Sequence, residues 1–155
     1  MVASQPANFV SQTILYIVNP ERRTGSPLIF IVDDDLDHTA ICRELLEARG
    51  YLVEEVGDGR KALARLLDPD REQPALILLD LSMPLMDGWQ FLAIMKSYIR
   101  LHLVPVVLIS AEEPRLEPER HGTIAAQLRK PYDAEQLLAI ASRYVPLTSA
   151  SADPA

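Results

Sequence analysis

Two unbroken apolar runs, Leu28–Val32 and residues 75–79, constrain this chain more than any other feature of it. A strand with one wet face alternates apolar and polar residues. An unbroken run of strand length, bounded by turn residues, instead fits a strand buried on both faces, the kind found in parallel sheets covered by helices. The segments between the runs supply the helices. From Asp37 to Arg49, Ile41, Leu45, Leu46 and Ala48 recur at helical spacing, and Gly50 stops the helix. Residues 51–56 read as a second strand, Gly57-Asp58-Gly59 as a turn, and residues 60–67 as a second helix ending before Pro69. After residues 75–79, a loop over 81–87 leads into a helix over 88–101, with Trp89, Phe91, Leu92 and Met95 available for packing. Residues 104–109 form a fourth strand and 123–128 a weaker fifth; Pro114 and Pro118 limit any helix between them. Asp133 with Gln136 three residues on makes a capping-box pattern, and Leu137, Leu138, Ile140, Ala141 and Val145 line a last helix up to Pro146.

This alternation predicts an α/β fold, a doubly wound five-stranded parallel sheet with right-handed crossovers, in one domain over residues 28–146. Residues 1–27 are expected to be an extension and linker, and residues 147–155 a disordered tail. Within the extension, Thr13 to Val18 is apolar; as a strand it belongs at a sheet edge or in a homodimer contact. The balance of 48% apolar and 24% charged residues is that of a globular protein, and no apolar run approaches the roughly 20 residues of a membrane span. The N-terminus lacks a basic region and a cleavage pattern, so a cytoplasmic location is expected. A net charge of −7 with few adjacent basic residues argues against nucleic acid as a direct partner. The single cysteine, Cys42, excludes a disulfide framework and reads as a packed thiol; His38, His102 and His121 are isolated and receive no role.

In an open parallel sheet the site lies at the carboxyl ends of the strands. The residues leaving those ends are Asp33, Asp34 and Asp35, then Asp80, Ser110 and Lys130, all polar. Crowded carboxylates repel one another, and a hard cation relieves them: Mg²⁺ takes oxygen ligands and pairs with phosphate oxygens. With that cation and Lys130 neutralising phosphoryl oxygens and Ser110 donating a hydrogen bond, the Asp80 carboxylate becomes a nucleophile for phosphoryl transfer.

The motifs Val32-Asp33-Asp34-Asp35, Leu78 to Gly88, Ile109-Ser110-Ala111 and Lys130-Pro131 resemble those of the receiver domain of bacterial response regulators. The resemblance implies a flavodoxin-like sheet of order 2-1-3-4-5 and function in two-component phosphorelay signalling. A sensor histidine kinase or histidine phosphotransfer protein would be the donor, and output would be by contact with an unidentified downstream protein rather than by catalysis on a separate substrate. It implies Asp80 as phospho-acceptor, with Ser110 and Lys130 beside it. Asp33, Asp34, Asp80 and the main-chain carbonyl of Ser82 would hold Mg²⁺, and the Lys130-Pro131 bond would be cis. Asp35 would be a bystander, and Asp87 a helix cap. Gln127 departs from the aromatic residue usual three positions before the lysine; with Pro114 and Pro118 it keeps open a receiver-fold interaction module that no longer switches.

Overall fold

The computed structural model describes residues 25–111 and 124–147. Five strands, β1 (Leu28–Val32), β2 (Leu52–Val56), β3 (Leu76–Asp80), β4 (Val106–Ser110) and β5 (Ile124–Arg129), form one parallel sheet in the order β2-β1-β3-β4-β5. The described helices are α1 (Leu36–Glu47), α2 (Gly59–Leu67), α3 (Gly88–Lys96) and α4 (Ala134–Tyr144). This is the flavodoxin-like order expected above. β1, β3 and β4 are buried at every position, as unbroken apolar runs require, whereas the edge strand β2 opens on an exposed Leu52.

Because strand side chains alternate, the sheet parts the apolar interior into two layers. Phe30, Val32, Ile77, Leu79, Val106 and Leu108 meet α2 and α3 through Leu66, Phe91 and Met95. Ile29, Ile31, Leu76, Leu78, Val107 and Ile109 meet α1 and α4 through Cys42, Leu46, Leu137 and Ala141. Each fully buried side chain of this size stabilises the fold by about 1.5–3 kcal/mol, and Phe30→Ala would cost about 3–5 kcal/mol.

Each described helix begins at an aspartate. The Asp35 carboxylate accepts from the His38 amide at 3.1 Å, and Asp58 from Arg60 at 2.7 Å. Asp87 with Gln90 and Asp133 with Gln136 close reciprocal capping boxes, so two otherwise unpaired amides are satisfied at each start, an arrangement worth about 1 kcal/mol per cap. Asp35 therefore has a structural role as the cap of α1, consistent with its being a bystander to the metal, and the expectation that Asp87 caps α3 holds.

Several boundaries shift from the sequence reading, and the end of α3 and the start of β4 do so for identifiable reasons. α3 stops at Lys96 rather than 101, because the Ser97 hydroxyl takes the Ile94 carbonyl at 2.6 Å and the chain tightens into successive i to i+3 turns through Val104. The apolar periodicity persists there in buried Leu101 and Val104, which is why it read as helix. β4 begins at Val106, since Pro105 brings no amide donor; its carbonyl accepts from Ile77 at 3.0 Å. In β5 the register slips opposite Val106 and Val107, leaving Ala125 as the extra residue, and the Tyr144 hydroxyl donates to its carbonyl at 2.7 Å. The expectations for Thr13 to Val18, for Pro114 and Pro118, and for most of the tail lie outside the described residues.

Candidate acidic metal site

Backbone bonds continue past the strand ends and level the rim. The Asp33 amide donates to Val56 at 3.1 Å, Leu81 to Ile109 at 3.2 Å, and Lys130 to Ser110 at 2.8 Å. Asp33, Asp80, Ser110 and Lys130 thereby emerge together at the carboxyl edge. One carboxylate oxygen from each of Asp33, Asp34 and Asp80 lies within 4.8 Å of the others. Asp33 and Asp80 are 1% and 5% exposed, whereas Asp34 is exposed, so the cluster reaches solvent through Asp34. Lys130 Nζ stands 3.7 Å from Asp33 Oδ2 and 3.8 Å from Asp80 Oδ2.

The neighbourhood sets the two buried acids apart. Burial pushes both carboxyls up. At Asp33 this is overcome by the bond from His38 Nδ1 at 2.7 Å, the Asp35 amide at 2.9 Å and the Lys130 charge, which hold it below the ordinary aspartate value. At Asp80 burial, reinforced by the Asp33 charge, wins over the Ser82 amide at 3.1 Å and Lys130, and the carboxyl sits above the ordinary value. A buried acid kept from comfortable ionisation by a like charge is a common mark of a functional site. The donor set is all oxygen, hard and anionic, which fits Mg²⁺ rather than a soft metal.

The structure therefore brings Asp33, Asp34, Asp80 and Lys130 together, and places buried Ser110 at the end of the neighbouring strand. Ser82 lies in the same turn through its amide, with its side chain exposed. The Lys130-Pro131 bond is cis. Gly88 lets the loop close: a Cβ there would lie 2.8 Å from Leu81 Cα and 2.9 Å from the Asp80 carbonyl oxygen.

One reading is overturned. His38 is not isolated: its Nδ1 bonds Asp33 and its Nε2 bonds the Tyr132 hydroxyl, which also touches Cys42 Sγ at 3.3 Å. Hydrogen bonding to Asp33 raises the His38 imidazole to about 9. Asp35 caps α1 so that His38, one turn in, leans back over the rim, the direction helical side chains take. Nothing in the sequence pairs position 38 with position 132. Cys42 is buried as expected, though beside these polar groups; His102 is exposed, and His121 lies outside the described residues.

A five-stranded parallel sheet of this order, with an acidic cluster and a lysine at its carboxyl rim, defines the receiver class of signalling modules. The family model described as response regulator receiver domain matches residues 29–142, and the chain belongs to that family. It is 31% identical over 119 residues to an uncharacterized 14.6 kDa protein in the sodA1 3′ region of Leptolyngbya boryana, covering 75% of this chain and 88% of that one. To Protein PilG of Pseudomonas aeruginosa it is 27% identical over 128 residues, covering 81% and 93% of the two chains. It spans less than half the length of other curated relatives. Among solved structures it is similar to the chemotaxis response regulator CheY4 of Vibrio cholerae, with a TM-score of 0.66, 26% identity, and coverage of 77% of this chain and 99% of that one.

Proposed function

We propose that this chain is a phosphoryl-accepting receiver in two-component signalling, modified on Asp80. The observation that carries the reading is the position of Lys130 Nζ, 3.8 Å from Asp80 Oδ2, at the edge of a three-carboxylate cluster. The Asp80 carboxylate attacks the phosphorus of a phosphohistidine on a sensor histidine kinase or histidine phosphotransfer protein. The phosphorus–nitrogen bond breaks and the imidazole leaves. Lys130 faces a developing phosphoryl charge with its ammonium, and Ser110, at the end of the adjacent strand, offers a hydroxyl to a second phosphoryl oxygen. Asp34, Asp80 and the main-chain carbonyl of Ser82 would hold Mg²⁺, with Asp33 beside them; when bound, the ion would supply charge neutralisation to phosphoryl oxygens. Asp33, already bonded by His38 and Asp35, is a fixed acid and not a competing nucleophile.

The receiver unit occupies residues 28–146, with residues 1–27 as an extension and 147–155 as a tail, and output is by contact with another protein. A second reading, a receiver fold that no longer switches, rests on Gln127, half-buried on β5 opposite Leu108 where the family usually carries an aromatic residue. Incubation with acetyl phosphate and Mg²⁺ followed by intact mass, then hydrogen exchange with and without beryllofluoride, separates the two. One added phosphoryl group, absent in Asp80→Asn, together with altered exchange across β4 and β5 supports the first; no added mass, or no change in exchange, supports the second.

A further inference from the structure

The turn that joins α3 to β4 is unlike the rest of the surface. Of the large apolar residues exposed among the described residues, Tyr98, Ile99 and Leu103 lie in this one connection and Ile94 in the last turn of α3 that leads into it, and Ile99 is 91% exposed. The successive i to i+3 turns over 97–104 make it a compact shelf rather than a loose loop. It also carries positive charge in an acidic protein. Residues 88–111 contain no Asp or Glu, although the chain has a net charge of −7. Lys96 and Arg100 lie in this stretch and, like Arg49, Arg60, Lys61 and Arg143 elsewhere, have no carboxylate partner among the described residues, whereas Arg43, Arg65, Arg71 and Lys130 pair with acids; here alone the two cations flank exposed apolar side chains in a stretch without acids. Lys96 is also partly buried, which pushes its ammonium below the ordinary lysine value.

We infer that this shelf docks a partner protein through a segment that is apolar on one face and acidic along its flank. The apolar side chains supply area to bury, and the two cations, which have no carboxylate among the described residues, select carboxylates over other charges. An anionic membrane fits less well: two cations fall short of the roughly four to eight that mark lipid-binding basic patches, and the overall charge opposes approach. The neighbouring loop over 68–73, which enters β3 at the same end of the sheet, carries Asp68, Asp70 and Glu72, so among the described residues the acid-free stretch is bounded on that side. This end of the sheet is opposite the acidic rim. The surface deepens the reading of output by protein contact, and Asp80 labelling of the same variants separates failure of one from failure of the other.

The test uses the full chain and three probes: a fluorescent amphipathic helical peptide of leucine and glutamate, its leucine and lysine counterpart, and phosphatidylcholine–phosphatidylglycerol vesicles. At low salt the glutamate peptide binds best. Ile99→Asp or Arg100→Glu weakens it by about tenfold or more, as expected for a residue central to a contact. Ile41→Asp, an exposed apolar position on α1, leaves it unchanged. Four results would each overturn the inference: equal or tighter binding of the lysine peptide, preference for vesicles, no binding by any probe, or equal loss with Ile41→Asp. Sedimentation showing a dimer of the unmodified chain that Ile99→Asp dissociates would also overturn it, in favour of a second copy as the occupant.

Discussion

His38 Nδ1 lies 2.7 Å from Asp33 Oδ2, and the pair joins the first turn of α1 to the acid at the end of β1. The bond raises His38 to about 9 from an unfolded value of 6.5, so the imidazolium stabilises the native state. A raised folded value contributes fully below the unfolded pKa and is lost as pH rises through the folded one. Measured in urea with chelator present, the stability difference between the unmodified chain and His38→Gln should be largest at pH 6. It should shrink by on the order of 2–3 kcal/mol by pH 10. A difference that does not change with pH would show that the bond is not coupled to protonation.

Asp80 shows the opposite balance. Its carboxyl is held above the ordinary value by burial and by Asp33, so its charge at neutral pH opposes folding in the absence of metal. Asp80→Asn keeps an oxygen for the Ser82 amide while removing that charge. The metal-free variant should have a higher urea midpoint than the unmodified chain at pH 7, and the gain should diminish as pH falls through the folded value of Asp80. A lower midpoint at pH 7 would contradict the electrostatic account.

The two aspartates that follow Asp33 do different work. Asp34 belongs to the carboxylate cluster, whereas Asp35 is occupied at the start of α1 by the His38 amide. Asp34→Ala should therefore weaken Mg²⁺ binding by about tenfold or more, while Asp35→Ala should change it by less than about threefold and cost about 1 kcal/mol of stability. Trp89 fluorescence during Mg²⁺ titration reads the first quantity and denaturation the second. Equal effects on binding would refute the ranking.

Two glycines near the rim should differ in their tolerance of a methyl group. At Gly88 the new Cβ meets backbone 2.8–2.9 Å away, and backbone cannot step aside locally. At Gly59 the neighbour is Met86, with Sδ at 3.1 Å, a flexible side chain. Gly88→Ala should cost about 1–3 kcal/mol and slow Asp80 labelling, whereas Gly59→Ala should cost under about 1 kcal/mol. Comparable denaturation midpoints for the two variants would show that the loop yields more than its packing implies.

The fold was legible because each central strand is an unbroken apolar run, and the rim was legible because a polar residue follows each run directly: Asp33 after Val32, Asp80 after Leu79, Ser110 after Ile109. Position along the chain therefore translated into position in space. His38 and Tyr132 escaped that logic. They meet across 94 residues through side-chain direction alone, which no local period encodes. The end of α3 was missed for a different reason: Leu101 and Val104 are buried by tight turns that carry on the helical spacing of apolar residues after the helical bonds have stopped.

The sheet's partition of the interior has a consequence for how the protein tolerates change. Phe30 and Ile31 are adjacent in sequence, yet they belong to different layers of the core. Substitutions on opposite sides should behave as independent events whose penalties simply add, while those on the same side should interfere with one another. A lineage carrying such a domain can therefore renovate the α2 and α3 layer without renegotiating the α1 and α4 layer, and only replacements in the strand backbones themselves oblige both to respond.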